Sequence, residues 1–218
     1  LYELAKVYLP KTLPLTELPD ERVQFTMGMY GEGDFYVMKG VVEEFFSKAG
    51  IRGKLSYDPK AGKTFLHPGR QANIIYHGEV MGYLGEIHPQ VADNYGIGDK
   101  AYVAVLDMPV VVKYADFDRK FTGIARFPAV TRDLSMVVPH EILAGDIEDM
   151  IIQRGGKILE SYQLFDVYEG SQIKAGYKSM AYSVVFRAKD KTLEENEINT
   201  AMKKILNGLS SMGIELRQ

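Results

Sequence analysis

The stretch DLSMVVPHEILAGDIEDMIIQRGGKILESYQLFDVY, residues 133–168, changes its hydrophobic period twice. Alternation over Leu134, Met136 and Val138 predicts a strand. Leu143, Ile147, Met150 and Ile151 then fall on one face of a helix, which Gly155-Gly156 stops. Glu160 to Tyr168 returns to the two-residue period of a strand, and Lys178 to Arg187 predicts another. Thr192 with Glu195 three residues later is a capping box, opening a helix with Ile198, Met202, Ile205 and Leu209 on one side. A short last strand covers Ile214 to Arg217. The order is βαββαβ, the ferredoxin-like pattern.

Parity sorts these strands into two faces. Leu134, Met136 and Val138 point inward, as do Phe165 and Val167, then Met180, Tyr182, Val184 and Phe186, then Ile214 and Leu216. The outward set is Asp133, Ser135 and Val137; Leu164, Asp166 and Tyr168; Ser179, Ala181, Ser183 and Arg187; Glu215 and Arg217. Parallel crossovers are right-handed in nearly all sheets, so both helices cover the same face. The other face is open, with small and polar side chains around one aromatic, Tyr168. Such a surface can take a flat, unstacked base, and it can equally be a solvated face.

Upstream, the 218-residue chain breaks between Tyr114 and Phe127, where Ala115-Asp116-Phe117-Asp118-Arg119-Lys120 has no apolar period. A domain boundary is placed near residue 120, giving domains 1–120 and 121–218. The first half predicts strands at Leu4 to Leu9, Arg22 to Tyr30, Ala72 to Tyr76, Val80 to Ile87 and Tyr102 to Asp107, with a His77-Gly78 hairpin turn. Met38, Val41, Val42, Phe45 and Phe46 mark a helix from Phe35 to Ala49, capped by Asp34 and ended by Gly50. The chain is therefore α+β, a mostly antiparallel sheet module followed by the ferredoxin-like domain. It begins at Leu1, directly in a strand-like segment, and reads as a piece of something longer.

Composition narrows the chemistry. Lys plus Arg is 26 against 29 acidic residues, a net charge of −3. Neither half is basic, so a protein that grips nucleic acid by charge alone is excluded. There is no cysteine, hence no disulfide, thiolate metal site or cysteine nucleophile. No phosphate-binding glycine loop, no H-E-x-x-H and no G-x-S-x-G occurs. His67 and His88 each precede a proline and read as turn residues. No apolar run is long enough to span a bilayer, which predicts a cytoplasmic protein without membrane contact.

One dense segment stands out: Phe65-Leu66-His67-Pro68-Gly69-Arg70, followed by Gly82 to Pro89. With Asp34-Phe35-Tyr36, Lys39-Gly40, Arg126-Phe127-Pro128-Ala129-Val130, Arg132-Asp133-Leu134, Leu164 to Tyr168 and Thr192 to Asn199, it resembles the C-terminal part of the bacterial phenylalanyl-tRNA synthetase beta subunit, in that family's order. The resemblance implies that residues 1 to about 115 form a class II synthetase-like module, catalytically inert, that packs against the catalytic alpha subunit. It implies that residues from about 125 form the ferredoxin-fold anticodon-binding domain. The fragment would be inactive alone, and the ATP and magnesium of the holoenzyme would be used elsewhere. In the family an aromatic on the open sheet face stacks on an anticodon base of tRNA(Phe). The matching residues are Tyr168 for stacking and Asp166, Ser135 and Ser179 for polar contacts. Arg132 and Arg187 are further candidates, for phosphate contact or for surface ion pairs. The alternative is a stand-alone interaction or small-ligand-binding ferredoxin-like protein, whose sign would be an enclosed pocket.

Overall fold

The computed structural model describes residues 1–118, 120–121 and 123–217. The chain divides into two compact units, the first ending at Phe121 and the second formed by the remainder. Between Tyr114 and Val130 the described residues form no helix or strand; Arg119, within the charged stretch, lies outside them.

The first unit begins with strands β1 (Tyr2–Leu9) and β2 (Asp20–Tyr30), followed by helix α1 (Phe35–Lys48). Asp34 caps the helix, its Oδ1 accepting from the Val37 amide at 2.9 Å. The buried face of α1 is Met38, Val42 and Phe46; Phe45 stacks on Phe25 of β2 at 5.1 Å, while Val41 stays exposed. Strands β3 (Ser56–Asp58), β4 (Leu66–Tyr76) and β5 (Glu79–Ile87) come next. The β4–β5 turn holds His77 and Gly78 at φ 49° and 79°, the two positive values a tight hairpin turn requires. Helix α2 (Pro89–Asn94), strand β6 (Ala101–Asp107) and helix α3 (Met108–Tyr114) complete the unit. The six strands are antiparallel in the order β1-β2-β6-β5-β4-β3. Helices α1 and α3 bury a common core with Ile74, Met81, Leu84, Ala104 and Leu106.

Sequence reading missed β3, α2 and α3 and began β4 at Ala72. The His67-Pro68-Gly69-Arg70 segment read as a turn is instead the irregular start of β4, where pairing with β5 slips between Leu66 and Gln71. Arg70 ends there in an ion pair, its Nη1 donating at 3.0 Å to both carboxylate oxygens of the buried Glu86.

The second unit follows the βαββαβ order: β7 (Val130–Pro139), α4 (Ala144–Gly155), β8 (Leu159–Tyr168), β9 (Tyr177–Phe186), α5 (Glu195–Ser211) and β10 (Glu215–Leu216). A 3-10 turn at Gly156–Ile158 joins α4 to β8, and Gly156 takes a φ of 66° as the helix ends. The antiparallel sheet runs β10-β7-β9-β8. Both helices lie on one face, where Ile147, Ile151, Ile198 and Ile205 meet Leu134, Met136, Tyr182 and Val184. Burial pushes the Tyr182 hydroxyl above the usual phenol range.

Two expectations are corrected. Helix α5 opens two residues later than the Thr192 capping box predicts: Glu194 is the cap, and Glu197 Oε2 accepts the Glu194 amide at 3.2 Å. In β8, Leu164 does not point outward and Phe165 does not point into the core. The β8–β9 register slips between Leu164 and Asp166, so Leu164 sits opposite the buried Tyr182 and packs on the core while Phe165, the extra residue, is 55% exposed. Val167, read as inward, lies opposite the buried Met180 but is itself half exposed.

Candidate nucleic-acid interface

The site is built by register on the face of the second sheet opposite its helices. One cross-strand row holds Val137, Ser179 and Tyr168; the next holds Ser135, Ala181 and Asp166. Tyr168, Asp166, Ser135 and Ser179 thus occupy two adjacent rows of three neighbouring strands. The bulge at Phe165 makes this arrangement. It restores Asp166 and Tyr168 to the outward face after Tyr162 and Leu164 have packed inward.

Ala181 supplies a small centre between Ser135 and Asp166, both exposed, so their oxygens are open to a ligand. Ser179 is 5% exposed and carries a partner that parity had placed outward without a role: Arg217 Nη1 donates to its Oγ at 3.4 Å. The Arg217 amide donates to the Ser135 carbonyl at 2.9 Å, which continues the short β10 pairing and sets the guanidinium over the open face. Among the described residues, Arg217 is therefore the cation that the register delivers to the candidate rows, and a residue that sequence reasoning left unassigned. Its signal was its outward parity beside Ser135.

The other two candidates are not brought to this place. Arg132 lies opposite the buried Val184, on the side of the sheet that the helices cover, and its Nη2 donates to both Glu195 carboxylate oxygens at 2.8 and 3.0 Å. The ion-pair alternative describes it. Arg187 follows the far end of β9, about 26 Å from Ser179 at roughly 3.3 Å per residue, and pairs with Glu160 at 3.0 Å.

The face is not basic: Asp133, Asp166 and Glu215 share it with Arg217. It offers a ring surface and hydrogen-bonding groups rather than a field that attracts phosphate. Among the described residues no three His, Asp or Glu side chains converge as a metal site needs, and no helix is long and apolar enough to cross a membrane.

Two family models match the chain. The one described as "Ferredoxin-fold anticodon binding domain" covers residues 125–217, and the one described as "Phenylalanyl tRNA synthetase beta chain CLM domain" covers residues 1–108. Over its full 218 residues the chain is 43% identical to the phenylalanine–tRNA ligase beta subunit of Clostridium tetani and 39% identical to that of Clostridium acetobutylicum. The chain belongs to the phenylalanine–tRNA ligase beta-subunit family. It spans about a quarter of those relatives' length, 27% of each. A third beta subunit, from Symbiobacterium thermophilum, is 34% identical and again aligned over all of this chain. The beta-subunit family thus supplies both units in this order, and its second unit is a tRNA anticodon-binding domain. The relatives are ligase beta subunits, parts of an enzyme complex.

Proposed function

We propose that the second unit holds the anticodon region of tRNA(Phe) on its open sheet face, with Tyr168 stacking on a base and Asp166, Ser135, Ser179 and Arg217 making polar contacts around it. The observation that carries this reading is the placement of the four polar and aromatic candidates in two adjacent rows of a face opposite both helices. An acidic carboxylate and small hydroxyls suit the Watson–Crick edge of a base, which presents both donors and acceptors. Arg132 has no part in it, and Arg187 is an ion-paired residue at the far end.

The first unit is proposed as a class II synthetase-like scaffold without catalysis of its own, bounded near residue 120, that receives the alpha subunit in the cytoplasm. Its support is a concentration of large apolar side chains left in water: Tyr2 at 80% and Leu18 at 85% exposure, with Leu4, Leu13, Tyr36, Val37 and Val41. Aminoacylation and the ATP and magnesium it uses are assigned to the holoenzyme.

The test is Tyr168→Ala in the assembled synthetase. Base stacking is worth roughly 1–3 kcal/mol, so tRNA affinity is expected to fall about ten- to hundredfold, with phenylalanine-dependent ATP/pyrophosphate exchange intact. Unchanged charging kinetics across a range of tRNA concentrations would overturn the assignment.

A further inference from the structure

A stacking aromatic works best when its ring is already placed, because a rotamer frozen on binding costs affinity. Tyr168 is the last residue of β8, an edge strand, where a side chain has neighbours on one side only. Among the described residues its ring has no aromatic partner and its hydroxyl no hydrogen bond. What lies against the ring is the backbone two residues on. A Cβ built on Gly170 would fall 3.0 Å from Tyr168 Cε1 and would overlap Cζ and Oη.

We propose that Gly170 is a positioning residue for the Tyr168 ring: its missing side chain lets the outer end of the ring rest on the chain, which fixes the platform on which a base stacks. The inference rests on the anticodon-binding reading given above and adds the device that presents the aromatic.

Three observations support it. First, Gly170 is not among the glycines with positive φ, so its backbone conformation is open to any residue and does not itself demand glycine. The steric demand comes from the ring. Second, Gly170 is held in place, because its carbonyl accepts from the Ile173 amide at 2.9 Å in the turn that follows β8. A Cβ there would displace the ring rather than the chain, since the ring end is the movable partner. Third, Tyr168 keeps 39% of its surface open while resting there, so the contact places the ring without roofing it.

The experiment is a double-mutant cycle in the assembled synthetase, with tRNA affinity and steady-state charging as readouts. Immobilising one side chain is worth about two- to tenfold in affinity. Gly170→Ala is expected to weaken tRNA binding by that factor and to raise KM for tRNA. The value of kcat and ATP/pyrophosphate exchange should stay unchanged. In a Tyr168→Ala background the same substitution should do nothing further, because there is no ring left to place. Gly170→Ser should repeat the pattern. An equal loss in both backgrounds would show a merely structural glycine and overturn the proposal. If Tyr168→Ala weakens binding but Gly170→Ala does not, the positioning role fails and the stacking assignment stands. If Tyr168→Ala itself has no effect, both fall.

Discussion

Each unit carries a tyrosine on the sheet face opposite its helix-packed core, and the two are treated differently by the chain around them. In the first unit, Tyr83 lies in the cross-strand row Thr26, Val105, Tyr83 and Asn73. The Lys63 ammonium sits 4.4 Å above its ring and Phe65 meets it edge-on at 6.0 Å, with burial pushing its hydroxyl above the usual phenol range. Next to it, the buried Leu66 fills the space that a side chain on Gly85 would take. In the second unit, the end of the Tyr168 ring rests against the Gly170 backbone, the residue keeps 39% of its surface open, and among the described residues no ring or cation stacks on it. An aromatic on an open strand is not by itself a binding platform. Whether it is free depends on the preceding or following loop: the approach to β4 closes over Tyr83, whereas the turn after β8 meets only the outer end of the Tyr168 ring, at Gly170, and leaves 39% of the residue open.

The largest effect that bears on this contrast comes from the bulge that makes the second face. Leu164→Asp places a carboxylate opposite Tyr182 in the core and should cost several kcal/mol. Phe165→Asp, one residue away at an exposed position, should cost less than about 1 kcal/mol. Hydrogen exchange of the β9 amides in the assembled enzyme reads both. A larger loss of protection in the Phe165 variant than in the Leu164 variant would mean that β8 keeps strict alternation, with Phe165 in the core and no bulge.

Next in size are the tyrosines themselves. Where Tyr168→Ala should lower tRNA affinity about ten- to hundredfold, Tyr83→Ala should leave it unchanged, although it removes a cation–π contact worth about 0.5–1 kcal/mol to the first unit. A tRNA defect in the Tyr83 variant of the same order as in the Tyr168 variant would erase the distinction between a roofed and an open face.

How far the sequence carried these conclusions differs between the units for a physical reason. The second unit has long periodic segments and short links, and its order of elements, the outward position of Ser135, Ser179, Asp166 and Tyr168 and most of its core follow from period and parity; Leu164, which packs on the core, and Phe165, Val167 and Leu216, which stay exposed, do not. The bulge was visible too, in that Leu164 and Phe165 are adjacent apolar residues within one alternating strand, but strict parity let it pass. Arg132 shows the limit from the other side: a charged residue at an inward-parity position next to a helix start is paired by that helix, here by Glu195. The first unit was less legible. Helix α2 has six residues and α3 seven, too short for a clear period. The roof over Tyr83 comes from a loop, and parity of the strand cannot reveal what a loop does.

The smallest predicted effect separates the two arginines nearest the second sheet. A side chain that neutralises a phosphate contributes about one counterion to the salt dependence of binding, whereas one paired within the protein contributes none. Arg132 is held by Glu195 on the helix-covered side, so Arg132→Ala should cost the protein about 0–1 kcal/mol and leave the slope of log affinity against log salt unchanged. Arg217 shares the open face with Tyr168, and among the described residues its guanidinium reaches the neutral Ser179 hydroxyl and no carboxylate. If it meets the RNA backbone, Arg217→Ala should flatten that slope by nearly one; if it meets a base edge, affinity should drop with the slope kept. Either outcome places Arg217 at the interface. A salt slope that changes for Arg132 and an affinity that holds for Arg217 would put the nucleic acid on the helix side of the sheet, and the comparison of the two open faces would lose its basis.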